Sequence, residues 1–269
     1  IKFIETIAKR GHTSVLEHEA VTIEVPYYFT EEVIKIQKEH FFEVSYSSKN
    51  NNFYITGNVR AWKNYFEKFG EMPPFVQEMY ELLGTRYDIL FPNFMRTYSR
   101  NVPEYMRISD FMEMSNNEIE NIYFPYEEAK KHLFLTVHIL TDRATSHQIV
   151  RHRLSSFSQE SQRYVNYTTD KFENTIRFIL PIGAKELDDE MEGIEEIKRS
   201  FEMSETAYFS LIEKGVKPET ARCVLPNATA TEIIMTSNYK QWDRFVALRS
   251  DSHAQADIRA ISDVIKEMY

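Results

Sequence analysis

The run Arg151-His152-Arg153-Leu154-Ser155-Ser156-Phe157-Ser158-Gln159-Glu160-Ser161-Gln162-Arg163-Tyr164 carries three arginines, one histidine and four serines with almost no aliphatic filler. Its apolar residues recur neither every two nor every three to four positions, so it is not an amphipathic strand or helix. Guanidinium groups crowd together at a cost unless an anion sits opposite, because like charges repel and each planar fork seeks a planar acceptor. The direct reading is a pocket for a phosphorylated ligand. If the preceding segment is helical, Gln148 and Arg151 share a face with His152 nearby, a pairing suited to a phosphate or a uracil-like edge. The serine-rich loop adds hydroxyls and free backbone N–H groups that can form an anion-binding concavity. The competing reading is a solvated basic loop at a helix C-terminus, where positive charge complements the macrodipole. Ser161 as a nucleophile would need a fixed base and an oxyanion hole, and nothing local supplies them.

Two further clusters hold chemistry-bearing side chains. His12-Thr13-Ser14-Val15-Leu16-Glu17-His18 contains two histidines and a glutamate. Their six-residue separation fits neither one helical face nor a familiar zinc spacing, so a core-lining or capping role is preferred and no metal is expected. Farther on, Asn238, Trp242, Phe245 and Arg249 recur near helical spacing, with Arg244 between them and His253 four residues beyond Arg249. An all-apolar stripe would be core; Asn and Arg within it suggest a wall that meets a ligand, against a plain helix with Arg244 and Arg249 in surface ion pairs. Arg222 stands in the apolar step Ala221-Arg222-Cys223-Val224-Leu225 and needs a partner. Cys223, the single cysteine, reads there as core packing.

These residues must be positioned by a chain of 269 residues, 42% hydrophobic and 14% aromatic, enough for a substantial core. The net charge of −9 opposes nucleic-acid binding, including an RNA-binding reading of the arginine loop, and makes the basic run a focused pocket. No stretch reaches the roughly 20 apolar residues of a membrane span. With no secretory signal visible and one cysteine, a cytoplasmic setting is expected. Only seven glycines occur, without a Gly-x-Gly-x-x-Gly or Walker pattern, so a nucleotide cofactor needs a non-Rossmann site.

Residues 1–10 read as a short helix stopped by Gly11, and Val21–Val25 alternates as a strand ended by Pro26. Segment 27–127 is rich in Phe and Tyr, has helix-like pieces near 60–68 and 74–83 and a turn at Gly57-Asn58, and reads as a folded insertion. From Tyr126 to Val150 the spacing of Ala129, Leu133, Val137, Leu140 and Ala144 predicts one long helix that delivers the arginine run. Thr175–Leu180 reads as a strand closed by Pro181. A helix near 193–214 is ended by Gly215, and Pro218 suits the first turn of the next. An apolar-periodic segment spans 229–249, and an amphipathic helix covers about 252–268. The class is α+β, a mixed or antiparallel sheet flanked by long helices.

Taken together, the three clusters resemble the flavin-dependent thymidylate synthases. That family's signature is Arg-His-Arg, about seven residues, then Ser; here Arg151-His152-Arg153 precedes Ser161 by seven. Gly11–His18 looks like the family's N-terminal segment, and Leu248-Arg249-Ser250-Asp251-Ser252-His253-Ala254-Gln255 its C-terminal signature. The likeness covers about residues 1–26 and 128–269. It implies one domain over 1–269 that makes dTMP from dUMP, with methylenetetrahydrofolate as carbon donor and NADPH as reductant through FAD, and without a cysteine nucleophile. By position, Gln148, Arg151, Gln159, Ser161, Arg163, Arg222 and Arg249 would meet dUMP. Arg249 would lie against the pyrimidine as the most rate-critical group, with Ser161 beside it in the catalytic centre. Ser14, Glu17, Arg151, His152, Arg153, Leu154, Asn238, Arg244 and His253 would face FAD. Folate would lie near His12, and His18 has a weaker claim.

The resemblance further implies a homotetramer with a flavin site at subunit interfaces. Gln159 departs from the family pattern by standing where some relatives carry Glu, and segment 27–127 separates motifs that compact members join directly. The family's first strand is expected before Ile1. Two other readings remain: an inactive homologue that keeps the nucleotide and flavin pocket, and a metal-dependent phosphohydrolase built on the histidines.

Overall fold

A computed structural model describes residues 13–86, 112–115, 118–119, 125–169, 172–186 and 192–269. The helix expected at 1–10 and His12 lie outside the described residues. The chain divides into two compact units, one comprising 1–135 with 236–240, the other 136–235 with 241–269.

The first unit is built on an antiparallel sheet in which β1 (Ala20–Pro26) is flanked by β3 (Asn52–Asn58) and β4 (Met112–Met114), with β2 (Phe42–Ser47) outside β3. β1 falls where the alternation placed it. Its Val21, Ile23 and Val25 are buried with Ile55 among apolar residues of α1 (Thr30–Gln37), α2 (Val59–Phe66) and α3 (Pro74–Arg86). The two helix-like pieces at 60–68 and 74–83 correspond to α2 and α3. Gly57-Asn58, in contrast, is not a turn. Gly57 is paired opposite Phe42, where a Cβ would meet the Phe42 ring at 2.5 Å, so glycine lets that ring pack edge-on against Trp62. Asn58 then caps α2, its side chain accepting from the Ala61 N–H at 2.8 Å. The hairpin reverses instead at Asn51, which takes a positive φ of 57° as asparagine tolerates.

A buried polar chain crosses this unit. The Thr22 and Thr56 hydroxyls lie 2.6 Å apart, and Thr56 Oγ1 is 2.7 Å from His132 Nδ1, just beyond the short helix α4 (Tyr126–Ala129). Burial, aided by neighbouring Lys131, pushes His132 down to about 4.

In the second unit, β5 (Phe134–Asp142), β7 (Ala230–Asn238) and β6 (Ser156–Gln159) form a sheet in the order β5-β7-β6. The division between units falls within β5, β7 and the helix that follows β7. The long helix expected over 126–150 is therefore three elements: α4, β5 and α5 (Arg143–Ile149). The helical spacing was coincidental. Val137, Ile139 and Thr141 are buried while His138 and Leu140 are exposed, a period of two carried by β-branched residues. The segment 229–249 is likewise a strand followed by a helix, β7 then α8 (Tyr239–Arg249). Thr175–Leu180 forms no strand; it makes one antiparallel bridge, Phe178 to Thr229.

The remaining helices follow their end signals. α6 (Glu192–Glu213) stops at Gly215, whose φ of 80° only glycine adopts freely. α7 (Pro218–Ala221) starts on its proline, and α9 (Ala256–Lys266) closes the chain. The mixture of helices and sheet is α+β, as expected.

Candidate functional site

Asp142 ends β5 and caps α5: its carboxylate accepts from the Thr145 N–H at 2.8 Å and from the Thr145 hydroxyl at 2.7 Å. The cap fixes where α5 begins, and the helix ends just before the arginine run. Arg151 lies past that end rather than on a helical face with Gln148. The chain then alternates: Arg151 and Arg153 are exposed, and His152 turns inward to 9% exposure. Leu154 is 65% exposed, a large apolar side chain with little cover.

The His152 ring stands edge-on to Phe245 of α8, centroids 5.6 Å apart at 84°. Burial lowers its pKa most, and the positive charges of Arg244 and Arg249 lower it further, so the imidazole is neutral at neutral pH. Gln241 hydrogen-bonds the ring through its backbone and side chain. Nε2 is buried without a hydrogen-bond partner among the described residues, so Gln241 engages Nδ1. Because that contact favours the protonated nitrogen, Nε2 is left as a lone-pair acceptor.

Trp242 and Phe245 anchor α8 in the core, both fully buried, while Arg244 faces solvent and Arg249 ends the helix. Arg249 Nη2 donates to the Gln148 carbonyl at 2.9 Å, tying the C-termini of α8 and α5 together. The Gln148 amide donates to Gln255 Oε1 at 2.6 Å, and the Gln255 amide to Asp257 Oδ2 at 2.9 Å. His253 is exposed, with its N–H and ring Nδ1 each 2.8 Å from Asp251 Oδ1. Gln148, His152, Arg244 and Arg249 thus form one constellation.

Gln159, Ser161, Arg163 and Arg222 belong to a second. Gln159 closes β6 and donates to Ser146 Oγ at 2.8 Å and Thr231 Oγ1 at 3.3 Å. The Glu160 N–H donates to the Glu232 carbonyl of β7 at 2.9 Å, which pins the chain immediately before Ser161. The Ser161 carbonyl then accepts from the N–H groups of Tyr164 and Val165, both at 3.0 Å, closing a turn. Arg163 projects from it, exposed, 5.3 Å from the Tyr164 ring. Ser161 Oγ lies 3.4 Å from the Arg163 N–H, and among the described residues no histidine or carboxylate bonds it, so it lacks a nucleophile's base. Arg222 donates from Nε to the Glu219 carbonyl at 3.1 Å. Its neighbour Cys223 is exposed, correcting the expectation of core packing: its 3₁₀ turn, Arg222–Val224, turns the thiol outward.

The remaining predicted residues lie in the first unit. Ser14 is exposed, and Glu17 is ion-paired with Arg60 of α2. His18 Nδ1 is 2.8 Å from Thr236 Oγ1, and burial lowers its pKa. Asn238 ends β7 rather than starting a helical stripe, and donates to the Lys131 carbonyl at 3.2 Å. Sequence reasoning passed over Arg60, Arg143, Gln241 and Gln255. None of these carries a local signal; Arg143 follows Asp142 at an ordinary helix start, and each needed the fold.

This is an α+β protein whose second unit carries two arginine-bearing constellations, one of them beside a buried histidine. Residues 111–269 match the thymidylate synthase complementing protein family, and the chain belongs to that family. The matched range holds the arginine run and the C-terminal motif but not Gly11–His18. The chain is 36% identical over 158 residues to a flavin-dependent thymidylate synthase of Thermococcus kodakarensis, covering 56% of this chain and 62% of that one. A Geobacter sulfurreducens protein of the same name is 39% identical over 120 residues, covering 45% and 49%, and one from Pyrococcus furiosus 32% over 165, covering 59% and 66%. The chain thus spans about half to two thirds of the length of these curated relatives. No helix among the described residues is long and apolar enough to cross a membrane.

Proposed function

We propose that this chain is a flavin-dependent thymidylate synthase that converts dUMP to dTMP, with methylenetetrahydrofolate as carbon donor and NADPH as reductant. The observation that carries the reading is His152: a neutral, buried imidazole whose Nε2 lone pair has no protein donor among the described residues, set beside Arg244 and Arg249. A buried acceptor without a donor is costly, so a ligand N–H is the natural partner. A flavin fits this donor set, having an imide N–H for His152 and a pyrophosphate for Arg151, Arg153 and Arg244. Ser14, Glu17, Leu154, Asn238 and His253 complete the proposed FAD set, and His12 is assigned to folate. When bound, FAD supplies the hydride of the reaction.

The protein's own residues bind and polarise the substrate. Arg151, Arg163, Arg222 and the Ser161 turn hold the phosphate and sugar of dUMP, and the amides of Gln148 and Gln159 hydrogen-bond the nucleotide. Arg249, held by the Gln148 carbonyl, offsets negative charge developing on the pyrimidine oxygens. Ser161 is a binding hydroxyl, consistent with its lack of a base. We assign the active form as a homotetramer with shared sites, a reading supported by the substrate residues of one chain being tied into two constellations. Segment 27–127 is assigned as a folded insertion, and the setting as cytoplasmic.

Tritium release from 5-tritiated dUMP, with folate and NADPH supplied and FAD present or omitted, tests this reading. FAD-dependent release is expected. A protein that carries flavin absorbance and releases no tritium would instead be an inactive homologue.

A further inference from the structure

Arg143, the first residue of α5, is a half-buried cation with few contacts. Its guanidinium reaches the Glu160 carbonyl at 3.4 Å and Thr231 Oγ1 at 3.5 Å, both beyond the usual N–H···O range. It has no ion pair among the described residues, and Arg222 is close enough to lower its pKa, after burial, by like charge. Like charges in a partly dry site repel, and among the described residues Glu160 is the carboxylate that acts on Arg143. Beside them lies Tyr167, 6% exposed, with the Gln162 amide next to its hydroxyl. Among the described residues, neither the Tyr167 hydroxyl nor Gln162 Nε2 has a partner of normal hydrogen-bond geometry. The Tyr167 ring is wedged edge-on between Phe172 and Tyr208, centroids 5.2 and 5.4 Å away, which fixes its position. Burial and the Glu160 carboxylate push its pKa to about 12, so at working pH it remains an O–H donor.

We propose that Arg143, Tyr167 and Gln162, which neither the arginine motif nor the C-terminal motif contains, join Arg222 and the Ser161 turn as an anion pocket that receives the phosphate of the substrate nucleotide. The inference rests on the proposed function for the identity of the nucleotide. Arg143 has the Glu160 carboxylate but no ion pair among the described residues and feels the like charge of Arg222, and a phosphate dianion would offset that charge and supply acceptors for the Tyr167 O–H and the Gln162 N–H. It also explains why Arg143 makes only long contacts in the protein alone: its short hydrogen bonds are reserved for the ligand. A strut that merely pinned the Glu160 carbonyl would not need Tyr167 or Gln162.

The test measures binding of inorganic phosphate, dUMP and deoxyuridine by calorimetry to the full chain and to Arg143→Gln, Arg143→Lys and Tyr167→Phe, each first checked for an unchanged melting curve. Arg143→Gln is expected to weaken phosphate and dUMP about 10- to 100-fold, and Tyr167→Phe about 5- to 10-fold. Arg143→Lys should recover part of the loss, and deoxyuridine should bind every variant equally. The proposal is overturned if the variants bind phosphate and dUMP as wild type does, or if deoxyuridine weakens in parallel with dUMP. Phosphate binding that depends on Arg143 in a protein releasing no tritium would retain the pocket and reject the synthase assignment. Because Tyr167→Phe and Arg143→Lys preserve ring and charge, the test survives misfolding of Arg143→Gln.

Discussion

Arg249 and His152 are where single side chains decide the outcome. Arg249 ends a helix and is braced by the Gln148 carbonyl, so its guanidinium is held rather than mobile. Arg249→Ala is expected to keep flavin absorbance while lowering dTMP formation by roughly 10²- to 10³-fold, the usual effect of deleting one stabiliser of developing charge. Normal turnover would remove its assigned role. His152 depends in turn on Gln241, which sets the proton on Nδ1. Gln241→Leu should leave the melting temperature unchanged yet weaken FAD about tenfold in a fluorescence titration, because the ring loses its fixed tautomer. Residue types and spacing made the arginines legible, since guanidinium crowding has few structural explanations. Gln241 and Arg143 were not legible: an amide on a helix and an arginine at a helix start are commonplace until the fold shows what they face.

Elements with strong end signals were readable, while those defined by burial were not. Gly215 and Pro218 marked helix ends by backbone constraint alone, and β1 alternated cleanly. β5 was misread because Ala129, Leu133, Val137, Leu140 and Ala144 happen to fall at helical spacing, although Leu140 points to solvent. What makes it a strand is its place beside β7, which no local pattern reveals. Asp142 sets the end of that strand and the start of α5. Asp142→Ala removes two hydrogen bonds to Thr145 and should cost about 1–2 kcal/mol, seen as a lower thermal midpoint. His132 gives the first unit an acid limit. With a pKa of about 4 in the folded protein against 6.5 unfolded, the neutral ring's contribution is intact above pH 6.5. It is lost as pH falls from there through 4, by about 3 kcal/mol at most. Urea unfolding at several pH values should show a shallower acid loss in His132→Asn than in wild type; equal slopes would mean that other groups set the limit.

For the whole molecule, the two constellations bear on assembly. If each site draws Arg249 from one chain and the Arg163 turn from another, Arg249→Ala and Arg163→Ala should each be inactive alone and regain activity when co-expressed as mixed oligomers. Co-expressed chains that form hybrids and still release no tritium would show that each site is built within one chain. The family match begins only at residue 111, so these tests address the matched part of the chain. The outward thiol of Cys223 offers an independent readout of the same assembly. Being the only cysteine, it accepts one dye per protomer without background mutagenesis, and it sits one residue from Arg222. Energy transfer between donor- and acceptor-labelled copies would count subunits as they exchange, and a slower rate of alkylation with dUMP present would register an occupied site in real time.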